Sequence, residues 1–254
     1  MNKSLLTKCL SITFVVLVIF AVLGHAMYSS EPNIPDFEDY AAGAERKSAF
    51  FSYFIPLINE NNIIIESNRK QILLWKDNRD SLSWWDRREI AGLAIQYRVT
   101  DVTIDEDIFW QKLVKRIDVL PPSLVLAQAA NESAWGTSKF AKLGNNYFGQ
   151  WCFKKGCGLV PDKRGAGKVH EVAAFDSPKE SLESYMTNLN SHSAYQSLRD
   201  LRAQLRKTKQ PVTGLSLAKG LSRYSERGEE YIKELRAMIK FNKLAEYDQN
   251  TDIQ

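Results

Sequence analysis

The sequence predicts a mainly helical protein with a small β-hairpin lobe, and three observations lead to this class. Apolar residues recur at helical spacing through most of the chain, as at Phe50, Phe54 and Leu57. A short stretch between Cys152 and Cys157 contains glycine and precedes an alternating segment, which is typical of a hairpin. The composition, 254 residues with 44% hydrophobic and 25% charged, is that of a globular chain and excludes disorder and collagen-like repeats.

Residues 1–26 are predicted to be an export signal. Lys3 and Lys8 precede an almost unbroken apolar run, and Gly24-His25-Ala26 supplies small residues where a signal peptidase reads. We prefer cleavage after Ala26. Retention as a membrane anchor is the alternative, because the 18 residues of Cys9–Ala26 are near the lower limit of roughly 17–25 for a spanning helix. We therefore expect an exported protein, periplasmic or associated with the cell envelope, that contacts a membrane only if this segment is uncleaved.

Residues 27–43 are polar and contain prolines, which predicts an extended leader. The spacing of apolar residues over 44–106 predicts a helical N-terminal segment, with its first helix broken near Pro56 or at Asn61-Asn62. Trp84-Trp85 in this segment could offer a stacking surface to sugars, since aromatic faces are large and flat. Paired tryptophans on helices usually belong to the core, and we predict core positions for them.

A helix that begins after Pro121-Pro122-Ser123 is the centre of the functional prediction. Proline suits the first helical turn, and serine can cap exposed amides. The spacing places Leu124, Gln128, either Asn131 or Glu132, and Trp135 on one face. Glu132 then lies near the helix C-terminus, where the negative end of the macrodipole and desolvation both raise the pKa of a carboxyl group. A raised carboxyl pKa is what a general acid requires.

A later amphipathic helix is predicted from leucines that recur at i, i+3 and i+7. We expect the basic residues between them to face solvent. The leucines are Leu198, Leu201 and Leu205, and the basic residues are Arg199, Arg202, Arg206 and Lys207.

Two cysteines remain after the predicted export signal. Cys152 and Cys157 enclose four residues that include a glycine, and in an oxidising compartment such a pair can form a hairpin disulfide. Zinc is the alternative, but it needs further ligands, and His170 lies at no metal-ligand spacing from the pair. We therefore predict a disulfide and no metal site.

Several motifs in the second half of the chain resemble those of the peptidoglycan-cleaving glucosaminidases of glycoside hydrolase family 73. They occur in the same order, and the helices before Asp107 resemble those of the Bax proteins, a group within that family. The motifs are Ala127-Gln128 followed by Glu132-Ser133-Ala134-Trp135-Gly136, then Asn145-Asn146-Tyr147-Phe148-Gly149, Phe175–Ser181, Gly220–Tyr224 and Tyr231-Ile232.

The resemblance implies a lysozyme-like catalytic domain over residues 107–248, with a β lobe at 150–175 and a tail at 249–254. Glu132 matches the family's catalytic acid, and Tyr224 matches the tyrosine that lines the sugar subsite. The segment after Tyr224 departs from the usual Tyr-Ala-Thr-Asp-Pro. The candidate substrate-binding residues are Tyr224, Trp135, Tyr147, Asn146 and Gln128.

A second carboxylate usually acts as nucleophile at about 5–5.5 Å from the acid, or as base at about 6.5–9.5 Å. In the family this residue lies on the β lobe, where the sequence offers Asp162 and Glu171. Substrate assistance by the acetamido group would make either unnecessary. The lobe also concentrates positive charge, which could attract peptidoglycan carboxylates or simply be solvated. These residues are Lys154, Lys155, Lys163, Arg164 and Lys168.

The resemblance therefore implies an endo-β-N-acetylglucosaminidase that acts on peptidoglycan glycan strands without a cofactor. A non-catalytic peptidoglycan-binding protein and a lytic transglycosylase are the alternatives. Nucleic acid is not an expected partner, because Lys plus Arg exceed Asp plus Glu by only 34 to 30.

Overall fold

The computed structural model describes residues 33–161, 164, 167 and 169–251. The predicted export signal lies outside these ranges, as do Asp162, Lys163 and Lys168. From Pro35 onward the described residues form one compact unit. No helix within the described ranges combines the length and the apolar character needed to cross a membrane.

The described chain is mainly helical and carries one small sheet, which confirms the predicted class. Its α-helices are α1 (Ala44–Asp77), α2 (Trp84–Gln96), α3 (Asp107–Arg116), α4 (Pro122–Glu132), α5 (Lys139–Gly144), α6 (Pro178–Ser191), α7 (Gln196–Lys207), α8 (Gly214–Leu217) and α9 (Glu229–Phe241). Short 3₁₀ segments lie at Arg79–Ser81, Ser193–Tyr195, Ala218–Leu221 and Leu244–Thr251.

Helix α1 is continuous, so the predicted break is wrong. Pro56 lies on the exposed side of the helix, where water can solvate the carbonyl that loses its helical partner. The two asparagines are buried and fasten α1 to its neighbours. Asn62 exchanges hydrogen bonds with the backbone of Leu120 at 2.9 and 3.1 Å, and Asn61 Nδ2 donates to Met186 Sδ at 3.0 Å. Tertiary hydrogen bonds thus outweigh the local preference of asparagine for turns.

The tryptophan pair at the start of α2 is also placed differently from the prediction. Trp84 and Trp85 are 62% and 68% exposed, and their rings meet edge to face at 4.5 Å. The carboxylate of Asp86 accepts from Trp75 Nε1 at 2.9 Å and thereby anchors the first turn of α2 to α1. A polar contact holds this helix end, and the tryptophans are left at the surface.

Helix α4 lies at the centre of the structure and is buried from Pro122 to Ala130. Its bounds agree with the predicted start and with a glutamate at its end. Asp248, from the 3₁₀ segment near the C-terminus, accepts from Ser123 N at 2.9 Å and from Ser123 Oγ at 2.7 Å. The same carboxylate accepts from Gly214 N, at the start of α8, at 3.0 Å. One side chain thus satisfies amides at two helix N-termini.

The β lobe is a three-stranded antiparallel sheet of β1 (Trp151–Cys152), β2 (Gly158–Leu159) and β3 (Glu171–Ala173), in the order β1-β3-β2. The predicted disulfide between Cys152 and Cys157 is present. A Cβ at Gly158 would lie 1.9 Å from the carbonyl oxygen of Val172, so only glycine fits at this crossing.

The prediction that the arginines of α7 face solvent is wrong for two of them. Arg199 is buried and donates from Nη1 to the carbonyls of Leu189 and His192 at 2.9 and 2.8 Å. Arg202 is fully buried between α7 and α3. The amphipathic pattern cannot reveal these positions, because the partners of both guanidinium groups lie on other segments.

Asp118 lies at the centre of a buried charge cluster. Arg206 binds its carboxylate through two hydrogen bonds of 2.6 and 2.7 Å, while Arg69 and Arg202 approach Oδ2 at 3.6 and 3.5 Å. Arg202 Nη1 also donates to Asn190 Oδ1 at 2.8 Å. Burial alone raises the pKa of Asp118, but the nearby guanidinium groups outweigh burial and hold that pKa below its usual value.

We predict that Asp118→Asn lowers the free energy of unfolding by roughly 3–5 kcal/mol at neutral pH, because it leaves buried guanidinium charge uncompensated. The stabilisation by Asp118 is complete above the pKa of the unfolded chain and is lost as pH falls through its lower folded-state pKa. Denaturant unfolding at several pH values tests both statements.

Asp107→Asn is the matched control, because Asp107 is an exposed carboxylate paired with Arg79. It should leave the unfolding free energy nearly unchanged. Equal losses from the two variants would contradict the role assigned to the buried cluster.

Candidate active site

Glu132 is the last residue of α4 and is half-buried. The chain turns sharply after it, because Ala134, Trp135 and Gly136 all have left-handed backbone conformations, with φ of 50°, 61° and 81°. Two of these are not glycine, which costs conformational energy. A Cβ at Gly136 would lie 2.2 Å from the Phe37 ring, so a larger residue does not fit there. The tight turn leaves the Glu132 carboxyl at an open helix end.

Glu132 is held by a chain of buried hydrogen bonds with a single direction. Tyr185 donates its hydroxyl hydrogen to Gln128 Oε1, and this leaves Gln128 Nε2 to donate to the Tyr231 oxygen at 3.0 Å. Tyr231 then donates its own hydrogen to Glu132 Oε1 at 2.8 Å. Because an amide has one accepting and one donating end, Gln128 sets the direction of the whole chain.

The environment of Glu132 favours its protonated form. Burial raises the pKa of the Glu132 carboxyl, and the hydrogen bonds from Tyr231 and Asn131 oppose that rise without cancelling it. The negative charge of Glu234 adds to the rise, and the positive charge of Arg227 reduces it. The expectation of a raised pKa at this helix end therefore agrees with the structure, and desolvation is the largest cause.

The turn after α5 forms the other side of the site. Gly149 has φ of 62°, and a Cβ there would lie 3.4 Å from Glu132 Oε2. Asn146 is buried and fixes this turn: it donates to the carbonyls of Gln150 and Ala173 at 2.8 Å and accepts from Gln150 N at 3.0 Å. The turn therefore passes near Glu132 Oε2, the oxygen that does not accept from Tyr231, and a side chain at position 149 would contact it.

Aromatic rings line the space around the acid. The ring of Tyr224 stacks on that of Tyr231 with centroids 5.5 Å apart and an interplanar angle of 3°. Its hydroxyl donates to the carbonyl of Phe148 at 2.7 Å, and Phe148 stacks on Tyr185 at 4.0 Å. Burial raises the pKa of Tyr224, Tyr185 and Tyr231 above the ordinary phenol value, so each hydroxyl keeps its hydrogen at neutral pH.

Two of the predicted site residues pack toward α1. The Trp135 ring contacts Phe50 and Phe51 at 5.8 and 5.5 Å, with Lys47 Nζ 4.9 Å from its centroid. Tyr147 is buried and meets the Phe54 ring at 4.8 Å. The structure therefore brings Gln128 and Tyr224 together with Glu132. The rings of Trp135 and Tyr147 instead connect the site to α1.

Glu171 lies on β3 and is buried within the lobe. Its two carboxylate oxygens accept from Gly156 N at 3.0 Å and Gly158 N at 2.9 Å, and these amides hold the pKa of Glu171 below its usual value. It lies within 4.8 Å of the sulfurs of Cys152 and Cys157, but those sulfurs form the disulfide and are not thiolates that could bind zinc. Asp162 lies outside the described residues.

Sequence reasoning placed Tyr231 in a motif without assigning it a role, and it missed Tyr185 and the pair of Glu234 and Arg227, whose charges act on Glu132. Arg227 Nη1 lies 2.8 Å from Glu234 Oε2. Glu234 follows Tyr231 by about one turn on α9, and Arg227 precedes that helix. A buried glutamine in an apolar helix needs hydrogen-bond partners, and this signal could have directed the search to buried tyrosines.

Comparisons with known proteins agree with the motifs. Residues 109–244, more than half of the chain, match the glucosaminidase family model, described as mannosyl-glycoprotein endo-β-N-acetylglucosaminidase. Protein bax from Escherichia coli strain K12 is 39% identical over 210 residues, which cover 83% of this chain and 74% of that protein. The catalytic domain of the autolysin Auto from Listeria monocytogenes is 24% identical, with a TM-score of 0.37, over 72% of this chain and 97% of that domain.

The family match covers the helix that carries Glu132, the turn that contacts it and α9. The similarity to protein bax extends over most of the chain and confirms the resemblance to the Bax group. The chain belongs to the glucosaminidase family of glycoside hydrolases.

Proposed function

We propose that this protein is an exported peptidoglycan hydrolase, an endo-β-N-acetylglucosaminidase that cleaves β-1,4 bonds next to N-acetylglucosamine. Glu132 is the proposed general acid. The state of its carboxyl group is the observation that carries the proposal: burial raises its pKa, and Tyr231 occupies Oε1 as a donor. Oε2 is therefore the oxygen that carries the carboxyl proton. A Cβ at Gly149 would lie 3.4 Å from this oxygen.

In the proposed reaction, Glu132 Oε2 gives its proton to the glycosidic oxygen as the bond from that oxygen to the anomeric carbon breaks. The anomeric carbon gains oxocarbenium character and bonds to the oxygen of a water molecule. This water loses one proton as its oxygen bonds to the anomeric carbon, and one proton returns to the Glu132 carboxylate, so the acid is restored at the end of the cycle. No cofactor takes part, and the glycan strand is the partner.

Of the five proposed substrate-binding residues, two are half-buried and three are buried. Tyr224 is half-buried at the wall of the site and is assigned to the sugar subsite. Gln128, Asn146 and Tyr147 are buried, so we assign them to positioning the acid and the turn from beneath the substrate. Trp135 is half-buried beside the helix end and is assigned to the outer edge of the cleft.

Glu132→Gln is expected to lower the rate of peptidoglycan cleavage by roughly 10²–10⁴-fold, because glutamine keeps the shape of the side chain but has no transferable proton. Digestion of purified peptidoglycan with mass spectrometry of the released ends measures this. Glu230→Gln on α9 is the control, since Glu230 is an exposed glutamate paired with Lys233. Equal rates for wild type and Glu132→Gln would contradict the assignment of the acid.

The products distinguish the proposed activity from its alternatives. Reducing N-acetylglucosamine ends identify a glucosaminidase, reducing N-acetylmuramic acid ends a muramidase, and 1,6-anhydro ends a transglycosylase. Wild-type protein that pellets with peptidoglycan and releases nothing would instead support a non-catalytic binding protein.

Tyr231→Phe is expected to change the pH profile as well as the rate. The hydrogen bond from Tyr231 favours ionised Glu132, so its removal raises the Glu132 pKa further. Activity depends on protonated Glu132 and falls as pH rises through this pKa, so the alkaline limb should move to higher pH. The maximal rate should fall, because the carboxyl loses its orientation.

Tyr224→Phe is the matched control for the pH profile. The Tyr224 hydroxyl donates to the carbonyl of Phe148 and not to Glu132, so this variant should lower the rate without moving the alkaline limb. An unshifted limb in Tyr231→Phe would contradict the proposed hydrogen-bond chain.

The second carboxylate is tested by Glu171→Gln, Asp162→Asn and Glu234→Gln, with both cleavage rate and thermal unfolding measured. Glu171→Gln should lower the unfolding temperature as well as the rate, because its two oxygens brace the hairpin. A variant whose cleavage rate falls while its unfolding temperature stays at the wild-type value identifies the carboxylate that takes part in the reaction. If all three cleave at the wild-type rate, assistance by the substrate acetamido group explains the reaction better.

A further inference from the structure

The β lobe presents an exposed tryptophan that is supported on one face. Trp151 of β1 is 55% exposed, and its ring stacks on the imidazole of His170 with centroids 4.1 Å apart and an interplanar angle of 29°. Because the imidazole covers one face of the indole, the exposed part of the ring is its other face and edge. Such a flat, supported surface is suited to stacking against a ring-shaped ligand.

Both neighbours of Trp151 are fixed in place. Gln150 donates from Nε2 to the carbonyl of Ser181 at 2.9 Å and accepts from Ser184 Oγ at 2.9 Å, which ties it to α6. Cys152 is held by the disulfide and by pairing with β3. The backbone therefore presents the indole in a defined place, so little conformational entropy is lost when a ligand contacts it.

Trp151 follows closely after a glycine that lies near the proposed acid. Gly149, two residues earlier, is the residue whose added Cβ would lie 3.4 Å from Glu132 Oε2. Two extended residues span at most about 7 Å, so the base of the tryptophan is within that distance of Gly149. The base of the tryptophan is therefore close enough to the proposed acid for one sugar of a glycan strand bound at Glu132 to reach it.

Cationic side chains on the same lobe indicate what else the ligand carries. Lys154 and Lys155 follow Trp151 in the loop that the disulfide closes, and both are exposed. The guanidinium of Arg164 donates to the carbonyl of His170 at 3.4 Å, beside the ring that supports Trp151. A stacking surface on a lobe that carries these basic side chains fits a sugar that carries a carboxylate substituent.

We infer that Trp151, supported by His170, forms a stacking subsite for an acidic N-acetylated amino sugar of the glycan strand, next to the bond that is cut. This inference rests on the proposed function and specifies which unit of the substrate the β lobe binds. Neutral chitin-like oligosaccharides would gain the stacking contact but not the contact with the basic side chains.

The test measures binding to soluble glycan strands in the Glu132→Gln background, where cleavage does not interfere. Trp151→Ala should weaken binding by about tenfold, and Trp151→Phe should weaken it less because a smaller aromatic face remains. Trp85→Ala is the matched control, since Trp85 is an exposed tryptophan on α2, and it should bind like the parent. His170→Ala retains the indole, removes its support and should give an intermediate loss.

Two further measurements separate stacking from a structural effect. Near-ultraviolet circular dichroism should show that Trp151→Phe keeps the native fold. Glycan strands should quench tryptophan fluorescence in the parent but much less in Trp151→Phe. Strands whose carboxylates are amidated should bind more weakly to the parent, and this loss should disappear in a variant with Lys154, Lys155 and Arg164 changed to glutamine.

The outcomes distinguish the subsite from the activity. Unchanged binding by Trp151→Ala, or fluorescence quenching as large in Trp151→Phe as in the parent, would overturn the subsite even if wild-type protein cleaves peptidoglycan through Glu132. Selective loss of binding in Trp151→Ala would uphold the subsite even if wild type cleaved nothing. Equal affinity for natural and amidated strands would overturn the assignment of an acidic sugar.

Discussion

Helix Pro122–Glu132 has almost no face turned to water, and this constraint governs how the rest of the chain is arranged. Each polar group on a buried helix must find a partner inside the protein. Asp248 supplies that partner at the first turn, Tyr185 and Tyr231 supply it for Gln128, and apolar side chains from α1 and α9 cover the remaining surface. Glu132 is thus the point at which a fully enclosed helix reaches solvent.

The same constraint fixes the hydrogen bonds around the candidate site. The hydroxyl groups around Glu132 donate to acceptors already present in the fold, so the direction of each hydrogen bond is set by the protein rather than by the substrate. Preorganised donors of this kind need not reorient as charge moves during a reaction. The aromatic rings that carry the hydroxyl groups also exclude water from the inner side of the carboxyl group.

The extent to which sequence could predict this structure depends on how far each partner lies along the chain. The helix that ends at Glu132 and the disulfide depend on nearby residues, and both were predictable. Asn62 and Arg206 use partners 58 and 88 residues away, so their local patterns indicated a helix break and a solvated face. The exposure of Trp84 was not predicted for a related reason. Its helix is anchored by Asp86 and not by its indole.

The cap that Asp248 provides also determines when the first turn of the central helix gains its last hydrogen-bond partner. Ser123 and Asp248 are 125 residues apart in sequence, so the first turn of the central helix lacks this cap until both residues have been synthesised. Closing so long a loop is slow compared with forming a single helix. The cap therefore forms only once all the residues between Ser123 and Asp248 are present, later than the local hydrogen bonds within the helix itself.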